Sequence, residues 1–304
     1  MEAVILLLKQ NLIMFLYMMI GLLLYKGKVL TKTGSGELAK VLLYLVMPVA
    51  IMKSYIQEYS AELLVGLAIS FVAALLSLLL SMAVCTLLFG KRDTVRQFGV
   101  SFSNAGFMGI PLVQMTLGDS AVFFVASYVA LLNFLQWTYG IYVMTKDKSC
   151  IKPRKIITNP VLIAFFAGLL LFFLPVTLPA PIMGMVSTIA SMNGPLAMIV
   201  LGCYLAQIPL RQLVTDKMTY FATVVRLIFI PALTVLGLWL MPTQYQTIRM
   251  AVLIAAAAPI GCNTAIFAAM FSCDYKAAVK DVCLSTLLSI GSMPLILAFA
   301  TLLW

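Results

Sequence analysis

Ser101-Phe102-Ser103-Asn104-Ala105-Gly106-Phe107-Met108-Gly109-Ile110-Pro111-Leu112 sits inside an apolar run that would otherwise read as one unbroken helix. Two glycines, a proline and an asparagine fall between Asn104 and Pro111. Proline has no amide hydrogen and clashes with the preceding turn, which leaves carbonyls without partners. Glycine lets unwound backbone take conformations that other residues avoid. At membrane depth such unpaired groups are tolerated only where protein or a water-filled cavity satisfies them. The stretch therefore predicts an interrupted helix, and the amino terminus of its second half would aim partial positive charge inward, which suits an anion. Asn104, Gly106, Gly109 and Pro111 are candidate substrate-binding residues.

The flanking sequence supplies the membrane. Of 304 residues, 63% are hydrophobic and 10% charged, and the mean hydropathy is +1.09; a soluble chain carries about a quarter charged residues. Apolar runs near 4–25, 36–56, 62–89, 97–115, 120–144, 159–178, 182–206, 217–240, 246–271 and 276–303 predict ten transmembrane helices. Each is close to the ~20 residues that cross a hydrocarbon core. They are apolar on every face, unlike the alternating strands of a membrane barrel. The first run is too long for a signal-peptide core and lacks a cleavage pattern, so it is expected to be retained.

The hydrophilic linker Thr145 to Thr158 lies near the middle and carries five basic residues. It divides the chain into residues 1–145 and 159–304, two repeats of five helices joined by a cytoplasmic linker at 146–158. Odd-numbered loops hold sixteen of the basic residues, among them Lys91, Arg96 and Arg211, against Lys9, Lys53 and Arg249 elsewhere. By the positive-inside rule both termini face outside a cytoplasmic (inner) cell membrane. The basic residues are scattered over short loops, which speaks against nucleic-acid binding. Five helices per repeat makes the second repeat enter the membrane inverted, an architecture common among secondary transporters.

The ninth run repeats the interruption with Pro259, Gly261 and Asn263 at mid-span, and a shift of 155 residues lays Gly106 over Gly261. Asn193-Gly194-Pro195 near the start of the seventh run and Pro48 in the second are weaker breaks. They read equally as bends or as lining for a crossing of the fourth and ninth helices.

The Ser101–Leu112 segment resembles the signature of the auxin efflux carrier family, and Leu45-Val46-Met47-Pro48, Arg226 to Pro231 and Pro259 to Asn263 are similar to that family at corresponding places. The resemblance covers essentially the whole chain. It implies ten helices in two inverted repeats, a scaffold and a transport domain, and crossed broken fourth and ninth helices with Asn104, Pro111, Pro259 and Asn263 at or beside the crossing. It also implies a carrier of organic anions of malate or auxin type, and a homodimer joined through the scaffold.

Few charges lie within the runs. Arg226 is the clear case, and an intramembrane charge is a functional candidate by default. It reads equally as a carboxylate anchor, as a snorkelling side chain, or as a donor to carbonyls of a neighbouring helix. All ten acids lie near span ends or in loops, which leaves coupling to Na+ or H+ through a buried carboxylate unsupported. Asn104, Gln114, Asn133, Gln136, Asn193, Gln207 and Asn263 are polar groups available as lining or as interhelical bonds. The chain has no histidine and its six cysteines show no CxxC pair, so no metal or other cofactor is expected. Without a nucleophile and base an enzyme is not indicated. The expectation is a carrier working by alternating access, most simply for efflux, with an ion-coupled symporter or antiporter as the alternative and a channel behind it.

Overall fold

The computed structural model describes residues 2–90, 92–174, 178–207 and 216–304. Lys91 and Arg211, counted in the charge asymmetry, and 175–177 at the end of the sixth run lie outside the described residues.

Helices stand at all ten apolar runs. They are α1 (Glu2–Lys26), α2 (Lys32–Tyr55), α3 (Ala61–Leu88), α4 (Thr94–Ser101), α5 (Ala105–Leu117), α6 (Asp119–Thr145), α7 (Pro160–Phe173), α8 (Ala180–Ala206), α9 (Lys217–Trp239), α10 (Gln246–Ala257), α11 (Asn263–Met270) and α12 (Tyr275–Leu303). Six of them (α2, α3, α6, α8, α9 and α12) are long and apolar enough to cross a membrane. The fourth run is split into α4 and α5 and the ninth into α10 and α11. Starts are fixed by side-chain caps: Ser60 accepts from Leu63 N, Asp93 from Arg96 N, Asn159 from Val161 N and Leu162 N, and Asp274 from Ala277 N. Each cap satisfies amides that a helix leaves open at its first turn.

Prolines shape the interiors. Three π turns, Leu42–Val46, Ala105–Gly109 and Val225–Phe229, end two residues before Pro48, Pro111 and Pro231. A wider turn gives the proline ring room against the preceding turn and absorbs its missing donor. In α8, Pro195 cannot bond back to Ser191, and the helix is interrupted at Met192. Asn193-Gly194-Pro195 thus lies in the middle of a 27-residue span, not near its start as the sequence was read.

α1 packs along α8 and α2 along α7, while α6 is surrounded by α3, α5 and α10. The first contact is backbone on backbone. A Cβ on Gly21 would stand 2.0 Å from the carbonyl oxygen of Ile199, and one on Gly202 would stand 1.9 Å from that of Met18. Small residues allow this approach, and packing without a hydrophobic drive depends on it. In the second contact Gly168 receives the Tyr55 ring, 2.8 Å from where its Cβ would be.

Candidate functional site

The two interruptions meet. The non-helical stretches 102–104 and 258–262 run antiparallel, with Ser103 opposite Ile260. Asn104 N donates to Pro259 O at 2.7 Å and Gly261 N donates to Phe102 O at 3.1 Å. Ile260 N is taken by Ser285 Oγ of α12 at 3.1 Å. Backbone groups that α4–α5 and α10–α11 cannot satisfy within their own helices are satisfied by each other, as the low-dielectric interior requires. Gly261 is needed for the approach, because a Cβ there would lie 3.1 Å from Ser103 O. Gly106 faces the Met47 side chain.

Four half-helix ends converge here, and they are treated differently by sign. The carbonyl ends of α4 and α10 are taken by Arg226, which is fully buried. Its Nε donates to Ala258 O at 3.0 Å, its Nη1 to Val100 O at 3.1 Å and to Ser81 Oγ at 3.4 Å, and its Nη2 to Ala256 O. Ser81 Oγ also bonds Ser101 O at 2.9 Å. Each helix carboxyl end carries roughly −0.5 of an elementary charge, so one guanidinium balances the pair. Of the three readings open for Arg226 in the sequence, the donor to neighbouring carbonyls is the one observed.

The amino ends, α5 at Ala105 and α11 at Asn263, open on a cavity of about 20 Å³ whose lining includes Leu43 and Met47 of α2, Leu132 and Asn133 of α6, and residues 103, 104, 106, 107 and 261–263 of the two breaks. Asn263 Nδ2 bonds Gln136 Oε1 at 2.8 Å. Asn133 Nδ2 bonds Val129 O at 2.9 Å, and its Oδ1 lies 3.5 Å from Asn159 Nδ2. Asn104 Nδ2 has only the Cys262 sulfur, at 3.7 Å, and Ser103 Oγ is buried without a partner. The lining sets three asparagines among apolar side chains and carries no charge.

Among the predicted site residues, Asn104, Gly106, Gly261 and Asn263 line the cavity and Pro259 lies in the crossing itself. Gly109 packs on the Ala255 backbone, 3.3 Å from where its Cβ would be, and Pro111 packs on Gly194. Pro48 and Pro111 are buried but are absent from the lining, where Leu43 and Met47 stand for α2. Asn193 is fully buried with neither amide atom bonded. Ser103, Phe107, Leu132, Asn133 and Cys262 complete the lining. Ser103 was legible as part of the signature; Cys262 had no signal beyond lying between Gly261 and Asn263.

One carboxylate near a span end is buried. Asp281, in the second turn of α12, is 1% exposed. Its Oδ2 lies 3.1 Å from Arg96 Nε, and Arg96 also pairs with Asp93 at 2.8 Å and Asp216 at 3.1 Å. Lys280 reaches Asp216 at 3.3 Å. The network ties α4 to α12 and to the start of α9.

An apolar, all-helical, multi-pass chain with a buried polar cavity at a crossing of two broken helices is built as a membrane transport protein. The sequence model of the family described as "Membrane transport protein" matches residues 6–153 and 149–297. The chain belongs to this family, the auxin efflux carrier-like membrane transporters. A relative from Rhizobium meliloti (strain 1021) named "Putative malonate transporter" is 26% identical over 224 aligned residues, 68% of each chain.

Proposed function

We propose that the protein is a secondary carrier of small organic anions, dicarboxylates of malonate or malate size above all, working by alternating access around the crossing. The observation that carries this reading is the cavity where α5 and α11 begin. Two helix amino termini attract anionic groups to one place. Asn104 and Asn263 add amide donors, and no Asp or Glu is among the lining residues. The relative named for malonate supports the substrate class.

A cavity of about 20 Å³ has room for about one water, whereas ligand sites run to ≈300–1,000 Å³. Loading a dicarboxylate therefore requires the walls to part. Leu43 and Met47 of α2 form one wall, with the crossing and Leu132 and Asn133 of α6 opposite, so α1, α2, α7 and α8 would act as the scaffold against which the remaining helices move. The pairing of α1 with α8 and of α7 with α2 supports two inverted five-helix repeats. Residues 1–145 would form one and 159–304 the other, with the 146–158 linker cytoplasmic and both termini outside. The family resemblance adds a homodimer joined through the scaffold.

Efflux is the direction that the membrane potential favours for an anion. An inside-negative potential contributes about 2.3 kcal/mol per charge per 100 mV, so a dicarboxylate leaving the cell gains without any coupling ion. A second reading, coupling to protons, rests on Asp281 alone; a flux that still responds to an imposed pH gradient in Asp281→Asn would end it.

The test is thermal-shift measurement of the purified protein against malonate, malate, indole-3-acetate, an amine and a neutral solute. Ligands that bind the folded state raise its apparent stability. Stabilisation by carboxylates that is lost in Asn104→Ala supports the reading. Stabilisation by the amine or neutral solute alone would overturn the substrate class.

A further inference from the structure

A second polar pocket stands about 14 Å along α5 from the crossing, counting nine residues from Ala105 to Gln114 at the helical rise. A pocket of about 210 Å³ there is lined by Lys53, Ser54 and Gln57 of the α2 end and by Gln114, Asp119 and Ser120 of α5 and α6. Lys53 Nζ donates to Asp119 Oδ2 at 2.8 Å, and Gln114 Nε2 donates to Asp119 Oδ1 at 2.7 Å. One carboxylate thus takes a donor on each oxygen, from two different helices. The donors and the acceptor differ in accessibility: the Lys53 side chain is 21% exposed and that of Asp119 is 58% exposed. The receptor is the sheltered part and its occupant the accessible one.

We propose that Lys53 and Gln114 form a vestibular binding site for a substrate carboxylate, held closed by the protein's own Asp119. Lys53 is the only cation lining the pocket. Lys53 comes from the scaffold group and Gln114 from the group that carries the crossing, so the clamp is complete only when the two are together. An incoming carboxylate replaces Asp119 oxygen for oxygen and keeps both hydrogen bonds. Charge-assisted bonds of this kind are the strong class, which gives the site preference for carboxylates over neutral solutes. This inference rests on the carrier reading for its role in transport, but its chemistry is testable separately.

The experiment measures malonate affinity by thermal shift on the full chain for wild type, Asp119→Asn, Lys53→Gln, Lys53→Asp/Asp119→Lys and Asn104→Ala. Asp119→Asn removes the internal competitor and is expected to tighten malonate binding several-fold. Lys53→Gln is expected to weaken it about tenfold, the loss of one charged hydrogen bond. The charge swap keeps an ion pair between the same helices. If the pair only staples α2 to α6, the swap restores both melting temperature and affinity; a carboxylate receptor predicts restored melting with affinity still low. Unchanged or weaker binding in Asp119→Asn, or full recovery in the swap, would overturn the proposal. Should Asn104→Ala abolish binding while the Asp119 and Lys53 variants behave as wild type, the crossing site stands and the clamp falls. The converse pattern removes the crossing site and leaves the clamp. If malonate stabilises neither wild type nor Asp119→Asn, both fall.

Discussion

Replacing Arg226 with methionine tests whether the crossing is held shut by a guanidinium. Methionine fills similar space with a flexible apolar chain, so the change removes charge and donors with little loss of volume. Four hydrogen bonds disappear, three of them to the carbonyls of Val100, Ala256 and Ala258. Interhelical bonds in membrane proteins average about 0.6 kcal/mol each, because a chain unfolded within the membrane also finds partners. That sets a floor near ~2 kcal/mol. Three carbonyls orphaned in a dry interior cost about 1–3 kcal/mol apiece, which raises the figure to roughly 3–9 kcal/mol. The burial cost of the guanidinium itself is relieved, so the lower part of that range is expected. At about 2–4 °C per kcal/mol for chains of 150–250 residues, the melting midpoint in detergent should fall by on the order of 10 °C. Arg226→Lys keeps the charge but not the planar fork that reaches three carbonyls, and should lose about half as much. Tryptophan-fluorescence melting of the three proteins at matched detergent reads this directly. A midpoint for Arg226→Met within ~2 °C of wild type would refute the reasoning, because the helix ends would then have been satisfied without it.

Gly21→Ala and Gly202→Ala place methyl groups about 2 Å from opposing backbone oxygens. Each should cut the yield of folded protein severely, whereas Gly184→Ala and Gly237→Ala, with nothing within 4 Å, should melt at or slightly above wild type; equal behaviour of the two pairs in a detergent melting assay would contradict the close contact. Burial works against ionisation of Asp216, but Arg96, Lys280 and the Met218 amide prevail and hold its carboxyl below the ordinary 3.8. A depressed folded value means stability present above the unfolded value and lost as pH falls through the folded one. Wild type should therefore lose melting temperature on acidification below about 4 more steeply than Asp216→Asn, and parallel curves would exclude the contribution. In proteoliposomes loaded with malonate, an imposed inside-negative potential should accelerate exit; flux indifferent to potential in an ion-free preparation would argue against electrogenic efflux.

Much of this frame could be read before any coordinates. Pro111 and Pro259 mark their interruptions because a missing amide is visible in sequence, and Asn104 and Asn263 stand where a half-helix starts. That the two breaks cross was implied by the family resemblance, but their register could not be read: one interruption is three residues long and the other five, and Ser103 faces Ile260. Local composition carries no information about how two unequal gaps align. Arg226 was equally open to three roles because only the fold shows that two carbonyl ends meet beside it. Asp281 looked like a residue near a helix end. It is buried because Arg96, 185 positions earlier, needs it, and that pairing leaves no local trace.

The crossing is fastened by main-chain groups: Asn104 N to Pro259 O, Gly261 N to Phe102 O. Within the two paired stretches the joint depends little on side-chain identity except at Gly261, where bulk would pry it open; the side chains it needs, Ser285 and Arg226, come from other helices. Selectivity and mechanics are therefore separable properties of this molecule. On the carrier reading proposed above, cargo preference would be set by side chains at Ser103, Asn104, Cys262 and Asn263, which are separate from the main-chain bonds of the crossing.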